Sequence, residues 1–158
     1  MEAANKGAFE AGGRSVGLTI DLPQEQPRNA YTNLTLKFHY FFVRKVMLVK
    51  YASAFVLMPG GWGTFDELFE TLNLIQTEKV HPLPTVLVGR DYWSGLVEWM
   101  RSYPATRGYV SKMDLEQIQI ADDVDEVLGL VGKAARIGVN GAARKESKKG
   151  NSSLNHPL

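Results

Sequence analysis

The 158-residue chain contains no cysteine. That excludes disulfides and thiolate metal sites, and it fits a reducing compartment. No apolar run approaches the roughly 20 residues needed to cross a bilayer. The opening residues, MEAANKGAFEAGG, lack the apolar core of a signal peptide. A cytoplasmic protein without a membrane partner is expected. An excess of charge is missing too: 18 Lys and Arg against 17 Asp and Glu leave a formal net charge of +1. No overall field steers such a chain toward nucleic acid. The three histidines, His39, His81 and His156, lie far apart and make no metal-ligand spacing, so no zinc site is expected. No Ser-His-Asp pattern assembles and no internal repeat is present. The Asn-x-Ser/Thr matches at Asn33 and Asn151 read as chance without a secretory route.

What is present is ordinary globular composition, 44% apolar and 22% charged, in a length that suits one domain. Residues 2–11 read as a helix stopped by Gly12-Gly13, and 15–20 as a short buried strand. Residues 21–32 hold two prolines and many polar groups and read as a loop. Residues 33–41, NLTLKFHYF, alternate and are rich in aromatics, which predicts a strand. Residues 42–52 are expected as a mostly buried helix. The run AFVLM at 54–58 is typical of a central parallel strand. Residues 64–79 give the clearest helix, with Phe65, Leu68, Phe69, Leu72 and Ile75 on one stripe. A strand at 84–88, a helix at 91–102, a strand at 116–120 and a helix at 122–136 follow. This alternation argues for an α/β fold, a parallel sheet with helices on both faces. From about residue 138 aromatics vanish and Gly, Ser, Asn and Lys dominate. The expected organisation is a domain over 1–137 and a disordered, solvated tail over 138–158.

The segment that carries chemistry is PGGWGT, residues 59–64, between the strand at 54–58 and the helix at 64–79. In open parallel sheets ligands bind beyond the carboxyl ends of strands. A glycine-rich turn there lets backbone N–H groups approach an anion, and the start of the following helix favours a phosphate or carboxylate. A tight turn without a ligand explains the glycines equally well. It is not a Walker loop, since no Gly-Lys-Ser/Thr follows. It also lacks the third glycine of the dinucleotide fingerprint. Glu67 has two readings as well. Thr64 and Glu67 fit a capping box, with Thr64 as N-cap. Alternatively, Glu67 is an ionised carboxylate in the first helical turn beside whatever the loop binds. Arg44, within the nearly apolar FFVRKVMLV, either snorkels to the surface or is held inside by an anion. Lys45 reads as its solvated neighbour.

FVRKVMLVKYASAFVLMPGGWGTFDELFE resembles the LONELY GUY (LOG) family, long mislabelled as lysine decarboxylases. The paired signature is an Arg-Lys on a helix, here Arg44-Lys45, then PGGxGTxxE after the next strand, here Pro59 to Glu67. The similarity runs from residue 1 to about residue 136. It implies a Rossmann-like open parallel sheet and a homodimer. It also implies hydrolysis of the N-glycosidic bond of nucleoside 5′-monophosphates, AMP or cytokinin riboside monophosphates, to free base and ribose 5-phosphate. By this resemblance Arg44 and Glu67 form the catalytic pair. Pro59, Gly60, Gly61, Gly63 and Thr64, with Lys45, bind the phosphate and nucleotide, and no cofactor takes part. The chemistry suits the residues: a leaving base develops positive charge on the ribose, which an anionic Glu67 would stabilise or meet with an activated water. Pyridoxal-dependent decarboxylation is disfavoured, because no lysine is singled out for a Schiff base.

Family members begin with a strand, a helix and a second glycine-rich loop ending in something like GGGPGIMEAANKGA. This chain starts inside that motif, at MEAANKGA. The expectation is an N-terminally truncated domain that lacks the first strands and is poorly stable on its own. Glu2 and Asn5 would be remnants of the first nucleotide-binding loop. The alternative function is a non-catalytic carrier of a nucleotide or of molybdenum cofactor.

Overall fold

The computed structural model describes residues 1–21 and 29–132. The predicted tail at 138–158 and most of the predicted loop at 21–32 lie outside the described residues. The chain divides into two compact units, Met1–Tyr51 and Ala52–Leu158, each described by itself below.

In the first unit, α1 (Glu2–Glu10) ends where Gly12 adopts φ +72°, a left-handed conformation that glycine takes without strain. Strands β1 (Val16–Ile20) and β2 (Leu34–Phe38) pair in parallel, Val16 opposite Leu34 and Ile20 opposite Phe38. Strand β2 is shorter than the predicted 33–41. Tyr40 is already the N-cap of α2 (Phe41–Lys50). The aromatic run had suggested a longer strand, but β propensity describes fit to a pleated surface, and tertiary placement overrides it. The expectation that this helix is mostly buried is also corrected. Only Val49 is buried, whereas Phe41, Phe42 and Val46 are exposed. A helix packed on the two strands β1 and β2 covers one face, and an apolar run without a single stripe leaves the rest outside.

In the second unit, β3 (Phe55–Leu57), β4 (Thr85–Val88) and β5 (Ile118–Ala121) form a parallel sheet in the order β3-β4-β5. Leu57 lies opposite Leu87, and Leu87 opposite Ile120. The central position expected of the 54–58 run belongs to β4, whose Thr85, Val86 and Leu87 are buried. Strand β3, like β5, is an outer strand of this sheet, and its Val56 is 43% exposed. A continuous apolar run reports apolar surroundings, not rank within a sheet. The helices are α3 (Trp62–Gln76), α4 (Arg90–Met100) and the short α5 (Lys112–Glu116). Residues 124–132 form α6. A π-helical turn, Arg101–Ala105, extends α4 and contains Pro104. The core joins Leu57, Leu68, Leu87, Trp93, Val97, Met100, Leu115 and Ile118. All observed strand pairs are parallel, and among the described residues every strand except β1 is followed by helix, which is the α/β organisation expected. No described helix is long and apolar enough to cross a membrane.

Candidate functional site

Parallel pairing in the second unit places the carboxyl ends of β3, β4 and β5 along one sheet edge. Met58–Gly61 follows β3, Gly89 follows β4 and Asp122 follows β5. Gly89 takes φ +99° and is the N-cap of α4, and its N–H donates to the Ala121 carbonyl at 2.8 Å. Asp122 accepts from the Arg90 backbone amide at 2.7 Å and from its Nε at 3.0 Å. The Arg90 amide first, then its guanidinium, holds the Asp122 carboxyl below the usual carboxylate range.

The glycine segment closes this edge beside β3. Helix α3 begins at Trp62, with Gly61 in extended conformation as N-cap. The amides of Thr64 and Phe65 bond the Gly61 carbonyl at 2.9 and 3.2 Å. The Trp62 and Gly63 amides precede this first closed turn, where a helix has no carbonyl of its own to offer. The predicted capping box at Thr64 and Glu67 is therefore overturned. Thr64 is the third helical residue, and α3 has no side-chain cap. Its hydroxyl sits against Gly60 instead: a Cβ on Gly60 would run into Thr64 Oγ1 and lie 3.1 Å from Thr64 Cβ. The capping box that does form is Ser111 with Asp114, at the start of α5. Its Ser-x-x-Asp spacing was present in the sequence and marks a helix that pattern reading missed.

The three glycines of the segment differ in kind. Gly60 is required by its neighbour Thr64. Gly61 and Gly63 are not required by any packing, since a Cβ on either would meet nothing within 4 Å, and Gly61 has an ordinary negative φ of −96°. Gly63 even lies inside the first turn of α3, where glycine is about 1 kcal/mol less favourable than alanine. Packing against Thr64 therefore explains Gly60, and no packing contact within 4 Å requires glycine at positions 61 and 63.

Behind the segment stands an aromatic group that the sequence did not single out as part of the site. Phe65 stacks on Tyr92, with ring centroids 6.4 Å apart, and meets the edge of the fully buried Trp93 at 5.7 Å. Tyr92 Oη donates to the Gly60 carbonyl. Pro59 packs near Gly89, where an added Cβ would come within 3.5 Å of its Cγ. On the solvent side Trp62 is 89% exposed.

Glu67 is half-buried and is the sixth residue of α3. It sits about 7.5 Å along the axis from Trp62 at 1.5 Å per residue. That is one turn deeper than a capping role allows, and the helix dipole acts on it more weakly than on a first-turn carboxylate. The other predicted site residues belong to the first unit. Arg44 and Lys45 are half-buried on α2, and the Arg44 guanidinium lies over the Phe41 ring, 5.6 Å from its centroid. Glu2 is exposed in the first turn of α1. The Asn5 side chain donates to Ser15 Oγ and accepts from Asn29 Nδ2, both at 2.9 Å. These bonds tie α1 to the start of β1 and to the segment before β2. Among the described residues no group of three His, Asp or Glu is placed to hold a metal.

A family described as possible lysine decarboxylase matches residues 1–131. The chain belongs to that family. It is the LONELY GUY family of the sequence resemblance under its older label. Curated relatives carry the name cytokinin riboside 5′-monophosphate phosphoribohydrolase. The protein of that name from Rhodococcoides fascians is 25% identical over 127 residues, covering 78% of this chain and 63% of its own length. The one from Mycobacterium tuberculosis is 37% identical over 90 residues, 54% of this chain and 45% of its own. One from Arabidopsis thaliana is 30% identical over 86 residues, 54% of this chain and 39% of its own. The chain thus spans about half the length of the curated relatives it matches.

Proposed function

We propose that this chain carries the phosphate-binding and acid-bearing part of a nucleoside 5′-monophosphate phosphoribohydrolase. The reaction adds water across the N-glycosidic bond and yields free base and ribose 5-phosphate. The observation that carries the reading is the open space over Gly61 and Gly63 at the amide end of α3. A phosphate seated there accepts from main-chain amides and meets the positive end of the helix. Pro59, Gly60 and Thr64 shape the seat. Glu67 stands about a turn and a half further along α3 and is proposed to face the ribose. As the base departs, C1′ gains positive charge, and an ionised Glu67 stabilises it or takes a proton from the attacking water. The family resemblance supports Arg44 as the second catalytic residue, a cation for a substrate oxygen, with Lys45, Glu2 and Asn5 contributing to nucleotide binding. The names of the relatives support a cytokinin riboside monophosphate as substrate, and AMP is proposed beside it as the unmodified nucleotide of the same class.

The working form is proposed as a cytoplasmic homodimer. Exposed Tyr40, Phe41, Phe42 and Val46 at and within α2 support the dimer, because exposed apolar side chains in number mark interaction sites.

The test is base release from AMP and from a cytokinin riboside monophosphate by the purified chain and by Glu67→Gln. Loss of turnover by about 100-fold or more, with unchanged melting, is expected for a group acting on the reacting centre. Unchanged turnover in the variant removes Glu67 from the reaction. Tight retention of intact nucleotide by the wild-type chain, without base release, would favour the carrier reading.

A further inference from the structure

We infer that Tyr92 is a positioning residue for the glycine segment, acting through the Gly60–Gly61 peptide; the inference rests on the proposed phosphate seat. Tyr92 stands in the first turn of α4, 32 residues from its partner along the chain. Its hydroxyl donates to the Gly60 carbonyl. Its ring is fixed on two sides, stacked on Phe65 and set edge-on against Trp93 at 4.8 Å. Trp93 is fully buried, so the hydroxyl is presented from an anchored ring.

The consequence lies in peptide geometry. The Gly60 carbonyl and the Gly61 N–H belong to one planar trans unit, in which they point in opposite directions. Gly60 and Gly61 are the residues least able to hold that plane by themselves, since glycine has the widest backbone freedom. Drawing the carbonyl toward α4 turns the Gly61 N–H away from Tyr92. Gly61 is also where an added Cβ would meet nothing within 4 Å. Tyr92 thereby sets the direction of a donor in the phosphate seat without touching substrate. A phosphate remote from the reacting bond is held equally in ground and transition states. A misaimed donor should therefore raise KM and leave kcat nearly unchanged.

Tyr92→Phe tests this, because it keeps the ring stack and removes only the hydroxyl. In the full chain, the variant is expected to bind ribose 5-phosphate about 3- to 10-fold more weakly, the loss of one hydrogen bond. KM for AMP should rise by the same factor, kcat should hold within about 2-fold, and the melting temperature should change little. The ¹⁵N order parameter of the Gly61 amide should fall. Tyr92→Leu, which also removes the stack, should show the larger KM effect together with a lower melting temperature. A folded Tyr92→Phe with unchanged ribose 5-phosphate affinity and an unchanged Gly61 amide overturns the inference. A lower melting temperature with unchanged KM also overturns it and makes Tyr92 merely structural. Should the wild-type chain bind no ribose 5-phosphate, the proposed function fails, and the Gly61 amide alone decides whether Tyr92 aims the peptide.

Discussion

Gly63→Ala should make this protein more stable and less able to bind a nucleotide at the same time. The added Cβ meets no atom of the protein within 4 Å, so no steric cost opposes the change. Position 63 lies in the first turn of α3, where alanine is preferred over glycine. That preference arises chiefly because alanine leaves the unfolded chain less conformational freedom, and it stabilises by about 0.5–1 kcal/mol. For a chain of this length that raises the melting temperature by about 1–4 °C. The same methyl intrudes on the space a phosphate would fill against the Gly61 and Gly63 amides. Ribose 5-phosphate affinity should therefore fall by about 10-fold or more, a loss of at least 1.4 kcal/mol. Gly60→Ala is the control with the opposite structural sign. Its Cβ collides with Thr64, so it should destabilise by about 1–3 kcal/mol, as overpacking does. Thermal melts and calorimetric titration with ribose 5-phosphate read both quantities. A Gly63→Ala protein that binds as tightly as wild type would refute the argument that the space is kept for a ligand. A destabilised one would refute the account of why glycine stands there.

Two further outcomes follow from the packing and the charges. Leu68 is completely buried between α3 and the sheet core, so Leu68→Ala should cost about 2–5 kcal/mol, and a smaller loss in urea unfolding would place Leu68 outside the stabilising core. The Asp122 carboxyl is held below its ordinary value of 3.8 by the Arg90 amide and guanidinium. Asp114 is also lowered: burial pushes it up, but bonds from the Ser111 amide, the Ser111 hydroxyl and Gln76 outweigh that. A carboxyl that titrates lower when folded contributes its stability in full above the unfolded value and loses it as pH falls through the folded one. The urea midpoint should therefore drop below about pH 4, and Asp122→Asn should flatten part of that drop. An identical acid slope in the variant would show that Asp122 contributes nothing to it.

The sequence disclosed what is written in local periodicity. The Phe65, Leu68, Leu72, Ile75 stripe located α3, and the apolar run at 84–88 located β4, because burial on one face or on both leaves a repeat that neighbours along the chain share. It misplaced the start of α3 because Gly61 caps with its backbone, and main-chain conformation leaves no side-chain signature. Thr64 and Glu67 supplied a persuasive imitation of one. Phe69 fits the stripe yet is exposed, since it lies at the stripe's margin. For α2 the apolar content was plain, but which face is covered depends on what the fold sets against it. The glycine segment was recognisable as a candidate site. The differing reasons for its three glycines were not, because they depend on where Thr64 and solvent lie. The Tyr92 bond to Gly60 spans 32 residues, and no local pattern announces it.

The ties along the carboxyl edge of the second unit bear on how the protein would fail when heated. Tyr92 joins the turn after β3 to α4. Gly89 and Arg90 join the turn after β4 to Ala121 and Asp122. Each of these turns is braced by the next, and the braces start from helices packed into the core. Such an arrangement leaves little scope for the glycine segment to detach while the rest stays folded. Heat inactivation should coincide with global melting and share its sharpness, where a site on a loose lid would fade several degrees earlier.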